Sequence, residues 1–252
     1  MKSKLSLVIS IIVVALAIVG IIIFVPLGSP SPEELPTYDS NSALAATIDL
    51  SDLNTSSILP ASDLNGNIAD HVKGNASAPV ILYEYADYQC SGCATVNPWV
   101  KELLNEYGDD LGIVFRSYPL NVHPMPAAAS AAVEAAGLQG YWHEYGDLLF
   151  ANQAEWYYSS DTKLINYFVT YFKAVAGDSG DVKKFRSDLF SESVKQKIAF
   201  DTAIGNSLDV DGTPSFFDKD GNLIDWYSAN TKSSFISFFE NYIDAELEKA
   251  KK

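Results

Sequence analysis

Two cysteines three positions apart, Cys90 and Cys93, form the pair in this chain best suited to chemistry, and the chain has no others. A thiolate is both the nucleophile and the leaving group of disulfide exchange, so a Cys-Ser-Gly-Cys run is a candidate redox pair. Residues 80–85, Val-Ile-Leu-Tyr-Glu-Tyr, read as a buried strand. After Cys93, the positions Val96, Trp99, Val100, Leu103 and Leu104 recur at helical spacing. The pair therefore falls where a strand passes into the start of a helix. Unpaired N–H groups and the positive end of the dipole at such a start favour a thiolate.

Other residues bear on this pair. Glu84 lies on the strand six positions before Cys90. Buried there, it would have a raised pKa and could carry protons near the sulfurs; on a half-exposed strand it would simply face solvent. Asp87, just ahead of the motif, suits a turn or capping role. Pro98 falls inside the helical pattern, where it bends a helix, and Gly108 is placed to end it. Residues 111–118 read as a second strand, parallel to the first through a right-handed crossover. Far downstream, Thr213-Pro214 follows a turn and precedes an apolar run, a setting suited to a cis X–Pro bond.

Composition narrows the function classes. The chain has 252 residues, 48% of them hydrophobic, and a formal net charge of −15. That supports a packed core and argues against a nucleic-acid partner. A disulfide scaffold would scatter cysteines, and a structural zinc site wants four ligands, so neither fits a single pair. His71, His123 and His143 are dispersed and suit surface, loop or capping roles. The run Asp218-Lys219-Asp220-Gly221-Asn222 lacks the rest of a calcium loop and reads as a hairpin turn between strands at 215–217 and 223–227.

The elements between and around the site follow from pattern. Residues 119–126 form a proline-punctuated loop. Helices are predicted over 127–137, 141–150, 162–175 and 182–203, with Asp161 and Asp181 as N-caps and Gly177 and Gly205 as stops. Tyr141, Trp142, Trp156, Tyr157 and Tyr158 suit helix packing, or a groove for unfolded peptide. Residues 233–249 predict a closing helix with Phe235, Phe238, Phe239, Tyr242, Ile243 and Leu247 on its buried stripe.

The N-terminal part has another character. Residues 5–25 are an uncharged apolar run, about 30 Å long as a helix, enough to cross a bilayer. Lys2 and Lys4 precede it and Glu33 and Glu34 follow, which places residues 1–4 in the cytoplasm and the rest outside. An uncleaved anchor fits better than a cleaved signal peptide, whose apolar core is shorter. Residues 26–62, rich in Pro, Ser, Asp and Asn, predict an exposed tether. Asn54-Thr55-Ser56 and Asn75-Ala76-Ser77 match the glycosylation pattern, as chance alone would supply in so Asn- and Ser-rich a chain. An outward-facing domain meets an oxidising compartment, consistent with a redox pair.

Asp70-His71-Val72-Lys73-Gly74-Asn75, Ala78-Pro79-Val80 and residues 85–93, Tyr-Ala-Asp-Tyr-Gln-Cys-Ser-Gly-Cys, resemble the DsbA-type branch of the thioredoxin superfamily. The resemblance covers about 68–241. It implies an α/β thioredoxin fold at 63–118 and 208–252, with a helical domain inserted at 119–207, here preceded by the transmembrane helix. By resemblance, Cys90 is the attacking cysteine, Cys93 the resolving one, and Glu84 the buried acid. Pro98 is the helix kink, and Pro214 a cis-proline beside the cysteines, with the Thr213 backbone free to pair with a substrate strand. Ser91-Gly92 departs from the Pro-His of strongly oxidising members. The implied activity is thiol oxidation of exported proteins through a Cys90–Cys93 redox disulfide, re-oxidised by a membrane-bound, quinone-linked partner, with no organic cofactor. A reductase or isomerase using the same site stays open, as do a binding module with a static disulfide and a metal site shared between chains.

Overall fold

The computed structural model describes residues 45–159 and 161–251. The expected anchor at 5–25, the residues before it and the first part of the tether lie outside the described residues, as does the side chain of Asp161. Among the described residues, no helix is long and apolar enough to cross a membrane.

The central strand is β2 (Val80–Ala86), flanked by β3 (Leu111–Ser117) and β4 (Ser215–Phe217), with β1 (His71–Gly74) beyond β3. β2 and β3 are parallel, Val80 opposite Leu111 and Glu84 opposite Phe115, as the crossover predicts. β1 runs antiparallel to β3, and β4 antiparallel to β2. A strand covered on both faces needs apolar residues at nearly every position, which is why 80–86 lacks alternation. Val80 and Leu82 pack with Val96, Val100 and Leu103 of α1 (Ser91–Tyr107) and with Phe235, Phe239 and Ile243 of the closing helix. Tyr83 and Tyr85 face the opposite core, with Val114, Phe200, Ile204 and Phe217. By strand alternation Glu84 shares the face that carries α1.

Between β3 and β4 run α2 (Pro126–Gly137), α3 (Trp142–Ala151), α4 (Gln153–Trp156), α5 (Asp161–Ala176), α6 (Val182–Asp188) and α7 (Glu192–Ser207); α8 (Lys232–Ala250) closes the chain. Asp181 caps α6 as expected, its carboxylate accepting from the Lys184 N–H. Gly177, at φ +54°, follows α5.

Four expectations are corrected. The helix predicted over 182–203 is broken, because Ser191 leaves the helical path and caps α7 through its hydroxyl, which accepts from the Val194 N–H. Gly205 does not stop α7; a Cβ there would lie 2.5 Å from the Tyr118 ring, so the glycine makes room for packing inside the helix. The second hairpin strand does not form a ladder. One bridge joins Phe217 to Leu223, and the Asp218 carboxylate closes the turn by accepting from the Asp220 and Asn222 N–H groups.

The fourth correction concerns the tether, which from residue 45 onward is docked. Ala45 and Leu59 are buried. Arg116, fully buried on β3, donates to the Thr55 carbonyl at 2.6 Å and the Ser57 carbonyl at 2.9 Å. Tyr83 donates to the Ser56 carbonyl, and the Leu59 N–H to Asp70. A guanidinium taken out of water must find acceptors, and this segment supplies them.

Candidate functional site

Cys90 is the N-cap residue of α1, with extended backbone angles, and Cys93 lies one turn inside. The Cys90 N–H donates to the Asp87 carbonyl at 3.0 Å, which fixes the bend between strand and helix. Cys90 is partly exposed and Cys93 fully buried; the two thiols are unpaired in this structure. The expected asymmetry between an accessible and a hidden sulfur is therefore present.

The cis peptide is present as well, joining Thr213 to Pro214. As a thiol, Cys90 donates to the Thr213 carbonyl oxygen at 3.1 Å. The Thr213 hydroxyl is buried with no hydrogen-bond partner and stands beside both sulfurs. Gly92 fits against this loop: a Cβ on it would lie 3.2 Å from Pro214 Cδ and 3.5 Å from Cys90 Sγ. So four residues distant in sequence, Cys90, Cys93, Thr213 and Pro214, meet in one place.

The electrostatics divide the sulfurs. The Cys93 thiol donates toward Cys90 and lowers its pKa to about 5, against the opposing effect of burial. The Thr213 hydroxyl and the N–H groups of Cys93 and Gly92 act in the same direction. Burial pushes Cys93 well above the ordinary thiol range, and the neighbouring Cys90 pushes it further. Cys90 is thus a thiolate at neutral pH and Cys93 a thiol.

Glu84 is fully buried, yet it is not the lone desolvated acid expected. The Lys73 ammonium of β1 lies 3.1 Å from Glu84 Oε2 and also donates to Asn97 of α1. Asn97 in turn donates to Asp147 of α3, which is paired with Lys101. The groups acting most strongly on the two sulfurs are each other, Thr213 and nearby peptide N–H groups, without Glu84.

Asp87 does more than cap a turn. Its carboxylate is fully buried and accepts from the N–H groups of Gln89 and Leu120 and from His123 Nδ1 at 2.6 Å. Gln89 holds both sides of the loop region, accepting from the Met125 N–H and donating to the Tyr157 carbonyl. Gln153 donates to the Tyr88 and Cys90 carbonyls. These links, like Lys73, join residues distant in sequence. The one signal available for Asp87 was an acid placed directly after the apolar strand, three positions beyond Glu84.

Comparison with known proteins agrees with this geometry. The family model described as Thioredoxin matches residues 66–237. Among solved structures, oxidised BdbD from Bacillus subtilis superposes with TM-score 0.59 at 17% identity, covering 76% of this chain and 98% of that one. Wolbachia pipientis alpha-DsbA1 gives 0.58 at 20%, covering 72% and 92%. Likeness at such identities is likeness of fold. The curated Na(+)/H(+) antiporter NhaA 1 of Mycobacterium sp. (strain KMS) is 33% identical over 151 residues, 59% of this chain and 23% of that protein. The Salinispora arenicola protein of the same name is 38% identical over 149 residues, 59% and 21%. The chain spans under a quarter of the length of these curated relatives.

Proposed function

The chain belongs to the thioredoxin family, and from that premise we propose that it is a thiol-disulfide oxidoreductase that oxidises cysteine pairs of exported proteins. The observation that carries this reading is the split between the sulfurs, Cys90 lowered to about 5 and Cys93 raised, beside the cis Thr213–Pro214 bond. In the oxidised enzyme a substrate thiolate attacks Cys90 Sγ, the Cys90–Cys93 bond breaks, and Cys93 leaves and takes up a proton. A second substrate thiolate then attacks the substrate sulfur of the mixed disulfide and displaces Cys90 as a thiolate. Two electrons pass from the substrate dithiol to the enzyme. A well-stabilised Cys90 thiolate favours the reduced enzyme and so drives oxidation. Thr213 offers backbone groups for pairing an extended substrate strand next to the sulfur.

Location and turnover are part of the same proposal. The apolar run at 5–25 with its flanking charges supports a single-pass anchor in the cell membrane, with the redox domain outside. Re-oxidation would then come from a membrane-bound, quinone-linked partner. An oxidation assay on a reduced, unfolded protein tests the activity: wild type accelerates disulfide formation and Cys90→Ser does not. Equal rates would overturn the reading. Equilibration with glutathione gives the direction: a potential near about −120 mV marks an oxidant, one near about −270 mV a reductase.

A further inference from the structure

Two buried acids lie close to the redox pair, and they are held differently. Glu84 is paired with the amine of Lys73, Nζ at 3.1 Å. Asp87 faces an imidazole, which can gain or lose a proton near neutral pH. The Asp87 carboxylate is fully buried, whereas the His123 side chain is 15% exposed, so the imidazole joins the carboxylate to water. Asp87 is also tied to both cysteines through its backbone. Its carbonyl accepts from the Cys90 N–H, and its own N–H helps hold down the Cys93 pKa. Burial raises the Asp87 carboxyl, so the protonated state of the pair lies within reach. Of the other titratable groups, Tyr88 is next in the chain, Cys93 meets the Asp87 N–H, and the Tyr157 ring meets His123 edge-on at 6.2 Å. Among the described contacts neither Asp87 nor His123 meets a lysine or arginine.

We propose that the Asp87–His123 pair is a redox-linked proton site, taking up a proton when the Cys90–Cys93 disulfide is reduced and returning it on re-oxidation. The proposal rests on the redox cycle above. Reduction by two electrons leaves one full negative charge on Cys90, and one proton goes to Cys93. In a poorly screened interior the new charge favours a compensating proton on a nearby group that can accept one, and the Asp87 backbone is bonded directly to the Cys90 N–H. Asp87–His123 is so placed; Glu84, already neutralised by Lys73, is not.

The proton balance is measurable. A reductant dithiol gives up two protons and two electrons as it closes to a disulfide. If Cys93 alone takes a proton, one proton is released per enzyme disulfide reduced near pH 6.5. With the pair participating, clearly less than one is released, and a weakly buffered pH indicator reads the difference. Asp87→Asn combined with His123→Asn leaves nothing in the pair to titrate, so this double variant should restore release to one proton per disulfide. Equal release by wild type and this variant would overturn the proposal while leaving the oxidoreductase reading intact. Failure of wild type to exchange with the dithiol would overturn that reading instead. Should the variant not fold, the wild type decides: by NMR, His123 at a fixed pH must be more protonated in the reduced protein than in the oxidised, and equal protonation refutes the idea.

Discussion

The lowered pKa of Cys90 has three measurable consequences at the scale of single residues. First, alkylation by iodoacetamide should follow one titration with its midpoint near pH 5, and Cys93 should stay unreactive in the folded protein. A midpoint near the ordinary thiol value of about 8.5 would contradict the geometry. Second, Thr213→Val removes a donor that lowers both sulfurs, so the Cys90 midpoint should rise by about one pH unit. Third, the shift is linked to stability. The folded pKa lies below the unfolded one, so the stabilisation of the reduced form is complete above about pH 8.5 and fades as pH falls to 5. Reduced wild type, referenced to Cys90→Ser, should therefore lose roughly 2 kcal/mol between pH 7 and pH 5 in denaturant titrations, and a pH-independent difference would refute the linkage. The attacking and resolving cysteines and Thr213-Pro214 were legible in the sequence because they carry local signals. The Asp87–His123 contact was not, since nothing in a linear pattern places a histidine of a proline-rich loop 2.6 Å from an acid 36 positions earlier.

At the scale of elements, buried ion pairs fasten the sheet to what covers it. Arg116, Asp70, Lys197 and Asp201 form one chain of buried ion pairs linking β3, the residue before β1, and α7, and Arg116 also holds the 45–62 segment. Removing one member of such a set leaves charge without compensation, at a cost of about 3–5 kcal/mol. Arg116→Ala should lower stability by that amount and open residues 45–62 to proteolysis ahead of the rest. Destabilisation without earlier cleavage of this segment would show that its carbonyls are held by other contacts. The same reasoning explains what pattern alone misread. Residues 45–62 look like a tether because their polar residues obscure Ile48, Leu50, Leu53, Ile58 and Leu59, which pack on the core, and because the Thr55 and Ser57 carbonyls that hold a buried cation leave no mark in the sequence. In contrast β2, β3, α1 and α8 were legible, since each buries one continuous apolar face. The single helix expected over 182–203 failed at Ser191, where a capping hydroxyl outweighs uninterrupted helical composition.

For the molecule as a whole, charge acts beyond the contacts at the cysteines. The chain carries −15 at neutral pH, and Asp209 and Asp211, just ahead of Thr213, are exposed. A substrate segment pairing with Thr213 would pass these carboxylates, and the field of the whole surface favours a cation on approach. Peptides whose cysteine is flanked by Lys or Arg should therefore be oxidised faster than the same peptides with Glu, by about tenfold at low ionic strength. The Debye length falls to about 10 Å at 0.1 M salt and about 3 Å at 1 M, so the preference should shrink steadily over that range. Asp209→Asn with Asp211→Asn should reduce it at low salt without moving the Cys90 alkylation midpoint, because neither side chain is among the groups acting on that sulfur. A preference that survives 1 M salt would assign selectivity to direct contact rather than to the field. A preference for acidic peptides would remove net charge from the account of substrate choice altogether.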